Sequence, residues 1–135
     1  MCHGRVALLA AALCLALCLC PPPPATATAS EPAPPVLHVV LFSWNPGMSA
    51  ADEAEFLADS RRLLVEIPGV QEVRGGRKAA DQRDAHVKDY DVAVSVRLRS
   101  LADLASYGSH PRHVELLGKW KPRILRTRVV DFFGE

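Results

Sequence analysis

Four histidines lie beyond Ser30 in this 135-residue chain: His38, His86, His110 and His113. Imidazole is the side chain that takes and returns a proton near neutral pH. His113 is the one whose spacing aims it. With Leu116, Leu117 and Trp120 it forms an i, i+3, i+4, i+7 stripe, the inward face of a helix. There it is either a proton acceptor in a partly buried pocket or a core histidine satisfied by protein groups. His38 alternates with Leu37 and Val39, so it shares a strand face with Val40, Phe42 and Trp44. It is read as a pocket group or as the partner of a neighbour at the strand end. His110, just before Pro111, caps a helix or closes a turn. His86 sits in a polar segment and faces solvent by default. A metal site on His110 and His113 is disfavoured, because Pro111 breaks helical geometry between them and no carboxylate has third-ligand spacing. There is no nucleophile elbow, phosphate-cradling glycine loop or dinucleotide fingerprint. Gly75-Gly76-Arg77 is too short a signal for phosphate.

The elements that must position these residues follow from periodicity. Val36–Trp44 is rich in β-branched and aromatic residues and reads as a strand, stopped by Asn45-Pro46-Gly47. Ser49 with Asp52 three residues on is a capping pattern for a helix to about Glu66, ended by Pro68-Gly69. Val70–Lys78 is a second strand, in which Gly75-Gly76 mark a bulge or a close backbone approach. Polar residues 79–88 connect it to a strand predicted over Asp89–Arg99, where Tyr90, Val92, Val94, Val96 and Leu98 alternate with more polar residues. Ser100 and Asp103 open another helix, and His110-Pro111 divides it from a short third helix to about Lys119. Arg123–Phe133 is the last strand. Strand–helix–strand twice over is α+β: a ferredoxin-like βαββαβ domain with helices on one face of an antiparallel sheet.

The first strand offers Leu37, Val39 and Leu41 to one face and Val40, Phe42 and Trp44 to the other. Helices cover one face only, so the other exposes an apolar patch unless a second copy buries it. A homodimer with sheets face to face is expected.

The N-terminus has the three parts of a secretory signal: Arg5, the apolar run Val6–Leu19, and Ala25-Thr26-Ala27-Thr28-Ala29 after four prolines. Cleavage after Ala27 or Ala29 predicts a signal peptide over 1–29, a Pro/Ala-rich linker over 30–35 and a domain over 36–133. A retained anchor is the rival reading, but the run is shorter than the roughly 20 residues that span a bilayer. Lipidation is a third, but leucines precede Cys14, Cys18 and Cys20 where a small residue is wanted. All four cysteines lie in the leader, so the mature domain has no disulfide, thiol nucleophile or cysteine metal site. The expected location is periplasmic or extracellular. Only Arg5 among sixteen Lys and Arg precedes Ser30, which leaves fifteen against fifteen Asp and Glu. A neutral mature chain recruits neither nucleic acid nor a membrane surface by its overall charge.

The residues His38-Val39-Val40-Leu41-Phe42-Ser43-Trp44, Ile67-Pro68-Gly69-Val70, Tyr90-Asp91, Tyr107-Gly108-Ser109-His110-Pro111-Arg112-His113 and Val129-Val130-Asp131-Phe132 resemble the stress-responsive A/B barrel (Dabb) family. The resemblance runs over nearly all of 36–133. It implies a dimeric α/β barrel of ferredoxin-like subunits, with a cavity between sheet and helices. Many such domains have no assigned activity. A plant polyketide cyclase of this kind closes a ring by aldol chemistry without metal or cofactor, using a tyrosine and a histidine that match Tyr107 and His113. A pocket histidine of that enzyme matches His38, and another falls on Val92. The resemblance thus implies catalytic roles for His113 and Tyr107. His38, Val40, Phe42, Val92 and Trp120 are expected to line a cavity for a small hydrophobic molecule, with no metal or cofactor. The alternatives are ligand binding alone, a cyclase- or lyase-like reaction, and a structural dimer whose histidines only pack.

Overall fold

The computed structural model describes residues 32–79 and 83–134. The leader and the start of the linker lie outside the described residues.

Strand β1, Val36–Trp44, has the bounds its composition predicts. Helix α1, Ala50–Leu64, starts at a complete capping box, in which the Ser49 hydroxyl accepts from Asp52 N–H while the Asp52 carboxylate accepts from Ser49 N–H. Two otherwise orphaned N–H groups are thereby satisfied. Asp52 and Glu53 in the first turn and Arg61 and Arg62 in the last suit the helix dipole. The turn into strand β2, Val70–Arg77, needs Gly69: its φ is +89°, and an added Cβ would lie 2.4 Å from the Asp103 carboxylate. Of the two glycines inside β2, Gly75 marks a close approach rather than a bulge, while Gly76 has open space. A Cβ on Gly75 would come within 2.8 Å of Leu57 of α1, whereas the register shift falls between Val70 and Glu72.

Strand β3 spans Val92–Leu98 and begins later than the alternation predicts. Asp89 and Asp91 serve β1 instead. Asp91 N–H donates to Phe42 O at 2.8 Å, and the Asp91 carboxylate accepts from Trp44 N–H at 2.9 Å. The Asp89 carbonyl accepts from the Ser43 hydroxyl at 2.7 Å. Helix α2, Leu101–Tyr107, is capped by Ser100, and helix α3, Pro111–Trp120, by His110 with Pro111 in the first turn. A 3₁₀ turn, Lys121–Arg123, leads into strand β4, Ile124–Phe133.

The four strands form one sheet in the order β2-β3-β1-β4, each neighbour antiparallel. Register and the two-residue period assign the faces. His38, Val40 and Phe42 of β1 lie across from Asp131, Val129 and Thr127 of β4 and from Val96, Val94 and Val92 of β3, on the helix side. Leu37, Val39 and Leu41 face the other way with Phe132 and Val130, which are 49% and 55% exposed. The core packs between the helix-side face and the helices, around Phe56, Trp44 and Trp120 in edge-to-face contact. Buried Asp59 joins α1 to α3: it accepts from Trp120 Nε1 at 3.0 Å and Lys119 Nζ at 2.7 Å, and from Arg62 within α1 at 3.0 Å. Burial would raise its carboxyl, but the hydrogen bonds from Lys119, Arg62 and Trp120 outweigh that and hold it below its ordinary value.

Candidate functional site

A cavity of about 410 Å³ opens between the helix-side sheet face and the three helices. β1 supplies His38, Val40 and Phe42, and β3 supplies Val94 and Val96. Phe56, Ser60 and Leu64 come from α1, Tyr107 from α2, and His113, Leu116 and Leu117 from α3. The 3₁₀ turn and β4 complete it with Lys121, Ile124, Leu125, Arg126, Thr127 and Val129.

One end of this apolar space is polar. The Tyr107 ring stands between two imidazoles, with centroids 4.7 Å from His113 and 5.4 Å from His38. The break at His110-Pro111 makes this possible. It turns the chain so that Tyr107, at the end of α2, and His113, in the first turn of α3, reach the same space. His110 itself is spent on the break: its Nδ1 accepts from Arg112 N–H at 3.2 Å, which caps α3.

The tautomers follow from the partners. His113 Nδ1 lies 3.0 Å from the Gly108 carbonyl, and His38 Nδ1 lies 2.6 Å from Asp131 Oδ1. Carbonyl and carboxylate oxygens only accept, so each Nδ1 carries the hydrogen. In the neutral ring each Nε2 is then a free acceptor, and neither has a partner among the described residues. Burial pushes the His113 imidazolium below its ordinary pKa; the Gly108 carbonyl offsets part of this, and nearby His38 adds to the lowering. His113 is therefore neutral at pH 7, the state a proton acceptor needs. Tyr107 is 4% exposed, and burial pushes its hydroxyl far above the ordinary phenol range, so it remains a donor. No described residue hydrogen-bonds that hydroxyl. Nor is it wholly enclosed: the enclosed, partnerless polar side-chain atoms among the described residues are Trp44 Nε1 and His86 Nδ1.

Of the expected lining residues, His38, Val40 and Phe42 do line the cavity, as do Tyr107 and His113, the two for which the resemblance implies catalytic roles. Val92 and Trp120 do not. Val92 is 0% exposed in the core, next to Phe42 on β1 and Arg77 on β2. Trp120 is 2% exposed, packed edge-to-face on Phe56 with its indole N–H given to Asp59. Both occupy filled core beside the cavity. Nothing in its own stretch of sequence aims Asp131 at the site; only the β1–β4 register sets it against His38. Among the described residues, no three His, Cys, Asp or Glu side chains are grouped to hold a metal.

A ferredoxin-like α+β domain with an apolar cavity and a histidine–tyrosine–histidine group at one end is the class this geometry defines. The family model of the Stress responsive A/B Barrel Domain matches residues 36–133, and the chain belongs to that family. A search of curated proteins finds no match. Among solved structures, a dimeric ferredoxin-like protein of unknown function from Thermobifida fusca superposes with a TM-score of 0.64 at 22% identity, covering 76% of this chain and 92% of that one. A hydroxynitrile lyase from Passiflora edulis superposes with a TM-score of 0.66 at 18% identity, covering 77% and 96%. SnoaB, a cofactor-independent oxygenase from Streptomyces nogalater, gives 0.58 at 14%, covering 76% and 95%. Identities this low establish the fold, and the different chemistries of these relatives leave the activity open.

Proposed function

We propose that this protein binds a small, mostly apolar molecule in its cavity and moves a proton on it with His113 and Tyr107. The observation that carries the reading is the Tyr107 hydroxyl, which lies on a buried residue without a hydrogen-bond partner among the described residues. That hydroxyl opens onto an apolar cavity rather than being enclosed in the core, so its donor is free for a ligand oxygen, as are the few polar groups that orient a ligand in such a pocket. The volume falls in the range of about 300–1,000 Å³ typical of small-molecule pockets. His113 Nε2 takes a proton from a C–H or O–H of the ligand, Tyr107 donates a hydrogen bond to the oxygen on which negative charge develops, and the proton returns from the imidazolium. His38, held by Asp131, packs edge-on against the Tyr107 ring and orients it.

Two further features belong to the reading. The apolar outer sheet face, with Leu37, Val39, Leu41, Val130 and Phe132, supports a homodimer, as do the dimeric relatives of the same fold. The leader over 1–29 supports export to the periplasm or outside the cell.

Native mass spectrometry of the protein secreted from its own leader tests these together. The expected species is a dimer whose chains begin at Thr28 or Ser30, carrying a small molecule released on denaturation. A monomer without ligand that fails to bind the neutral probe 1-aminoanthracene would overturn the binding reading. Binding that survives in Tyr107→Phe and His113→Gln with unchanged affinity would overturn the role given to that pair.

A further inference from the structure

The cavity is polar at two ends, and they differ in charge. At the first stand His38, Tyr107 and His113, with Asp131 behind His38. Lys121 lines the second, where α3 passes into β4. Eight residues of helical chain separate His113 from Lys121, about 12 Å along the axis at 1.5 Å per residue. Phe42, Phe56, Leu116 and Leu117 make the intervening wall apolar.

Lys121 differs from the other cations between α3 and β4. Arg112 pairs with Glu66 and Glu115, and Lys119 with Glu55 and Asp59. Arg123 pairs with Asp52, and Arg126 and Arg128 share Asp89. Lys121 has no carboxylate or other side-chain partner among the described residues. It is an exposed residue that also lines the cavity, which suits a long cationic side chain that keeps its ammonium in water and lays its stem on apolar surface.

We propose that Lys121 anchors the carboxylate of the bound molecule, so that the ligand is an elongated amphipathic carboxylic acid. Its head pairs with Lys121 at the mouth, its apolar body fills the middle, and its far end carries the oxygen that reaches Tyr107 and His113. The assignment rests on the cavity being a ligand site, as proposed above, and adds the ligand's class and direction. Asp131 and the neutral His113 make the first end unsuited to an anionic head. A phosphate is a poor fit to the second end. It calls for more than one cation or a free arginine fork, and Arg126, the other cation lining that end, is held by Asp89 at 2.6 Å.

Displacement of 1-aminoanthracene from the secreted protein by decanoate and by decanol tests the inference. The two compounds share an apolar chain and differ in the charge of the head. Wild type is expected to bind decanoate roughly tenfold more tightly than decanol, as a charge-assisted contact gives. Lys121→Met removes that preference while keeping the decanol affinity, Lys121→Arg retains it, and raising the salt shrinks it. Equal affinity for the two compounds in wild type, or an undiminished preference in Lys121→Met, would overturn the anchor and leave cavity binding in place. Failure of wild type to bind decanol and the neutral probe would instead remove the binding reading on which the anchor rests.

Discussion

His38 donates from Nδ1 to Asp131 Oδ1 at 2.6 Å, across the β1–β4 pairing and 93 residues apart in sequence. The contact fixes one ring nitrogen, and it does so for the imidazole that flanks Tyr107. Asp131 is 43% exposed, so the pair contributes little to stability, on the order of 0–1 kcal/mol. Asp131→Ala, which removes the acceptor, should leave the melting temperature nearly unchanged. It should release the His38 tautomer, read as mixed Nδ1–H and Nε2–H signals in a nitrogen-15 imidazole spectrum. A single tautomer in the variant would contradict the orienting role.

Asp59 is a different kind of carboxylate. It is buried and serves the Trp120 indole and Lys119 on α3. Asp59→Ala leaves the indole N–H unsatisfied and removes the link between α1 and α3. A loss of about 1–3 kcal/mol is expected, read as a lower urea midpoint at unchanged m-value. A loss well below that range would mean that apolar packing alone holds α3.

Gly69→Ala should destabilise more than an ordinary surface change. The residue has φ +89°, and the new Cβ would meet the Asp103 carboxylate that also serves the α2 cap. Strain and a disturbed cap together predict a cost of about 2 kcal/mol or more. Gly76→Ala, where an added Cβ meets nothing within 4 Å, is the matched control.

Much of this architecture is legible in the sequence because it is local. Ser49 with Asp52, Ser100 with Asp103, and His110-Pro111 mark helix starts through contacts three residues apart or fewer, and all three occur where the spacing predicts. The candidate site is legible only in part. Periodicity shows that Val92 and Trp120 face inward, but not whether the space before them is filled. The adjoining Phe42 and Phe56 decide that. The roles of Asp131, Asp59 and Asp91 depend on register and on helix docking, which no short window of sequence contains. The late start of β3 has the same origin, since the contacts of Asp89 and Asp91 with Ser43 and Trp44 run through side chains and not through a regular ladder.

Stability should fall with acid in two separable steps. The folded-state pKa of His113 lies below its unfolded value of about 6.5, so as pH falls through that value the unfolded chain takes up the proton first. Its contribution is therefore intact above about pH 6.5 and declines below it. Asp52 behaves as a depressed carboxylate: the Ser49 hydroxyl and N–H, with Arg123, bring it down to about 2. Its contribution is present above the unfolded value of about 3.9 and is lost as pH falls toward 2. Urea midpoints followed from pH 8 to 3 should show the upper step vanish in His113→Gln and the lower step shrink in Asp52→Asn. An upper step unchanged in His113→Gln would assign it elsewhere.

Nitrogen-15 titration of the His113 imidazole, with and without 1,10-decanediol, which carries a neutral hydroxyl at each end, tests the central claim most directly. The predicted result is a midpoint below the ordinary histidine value of about 6.5, with hydrogen on Nδ1 in the neutral ring. The Nε2 resonance should move when the diol enters the cavity, and that response should be lost in Tyr107→Phe or strongly reduced. An ordinary midpoint with an Nε2 signal indifferent to the diol would contradict the account, leaving His113 a packing residue beside an unused space.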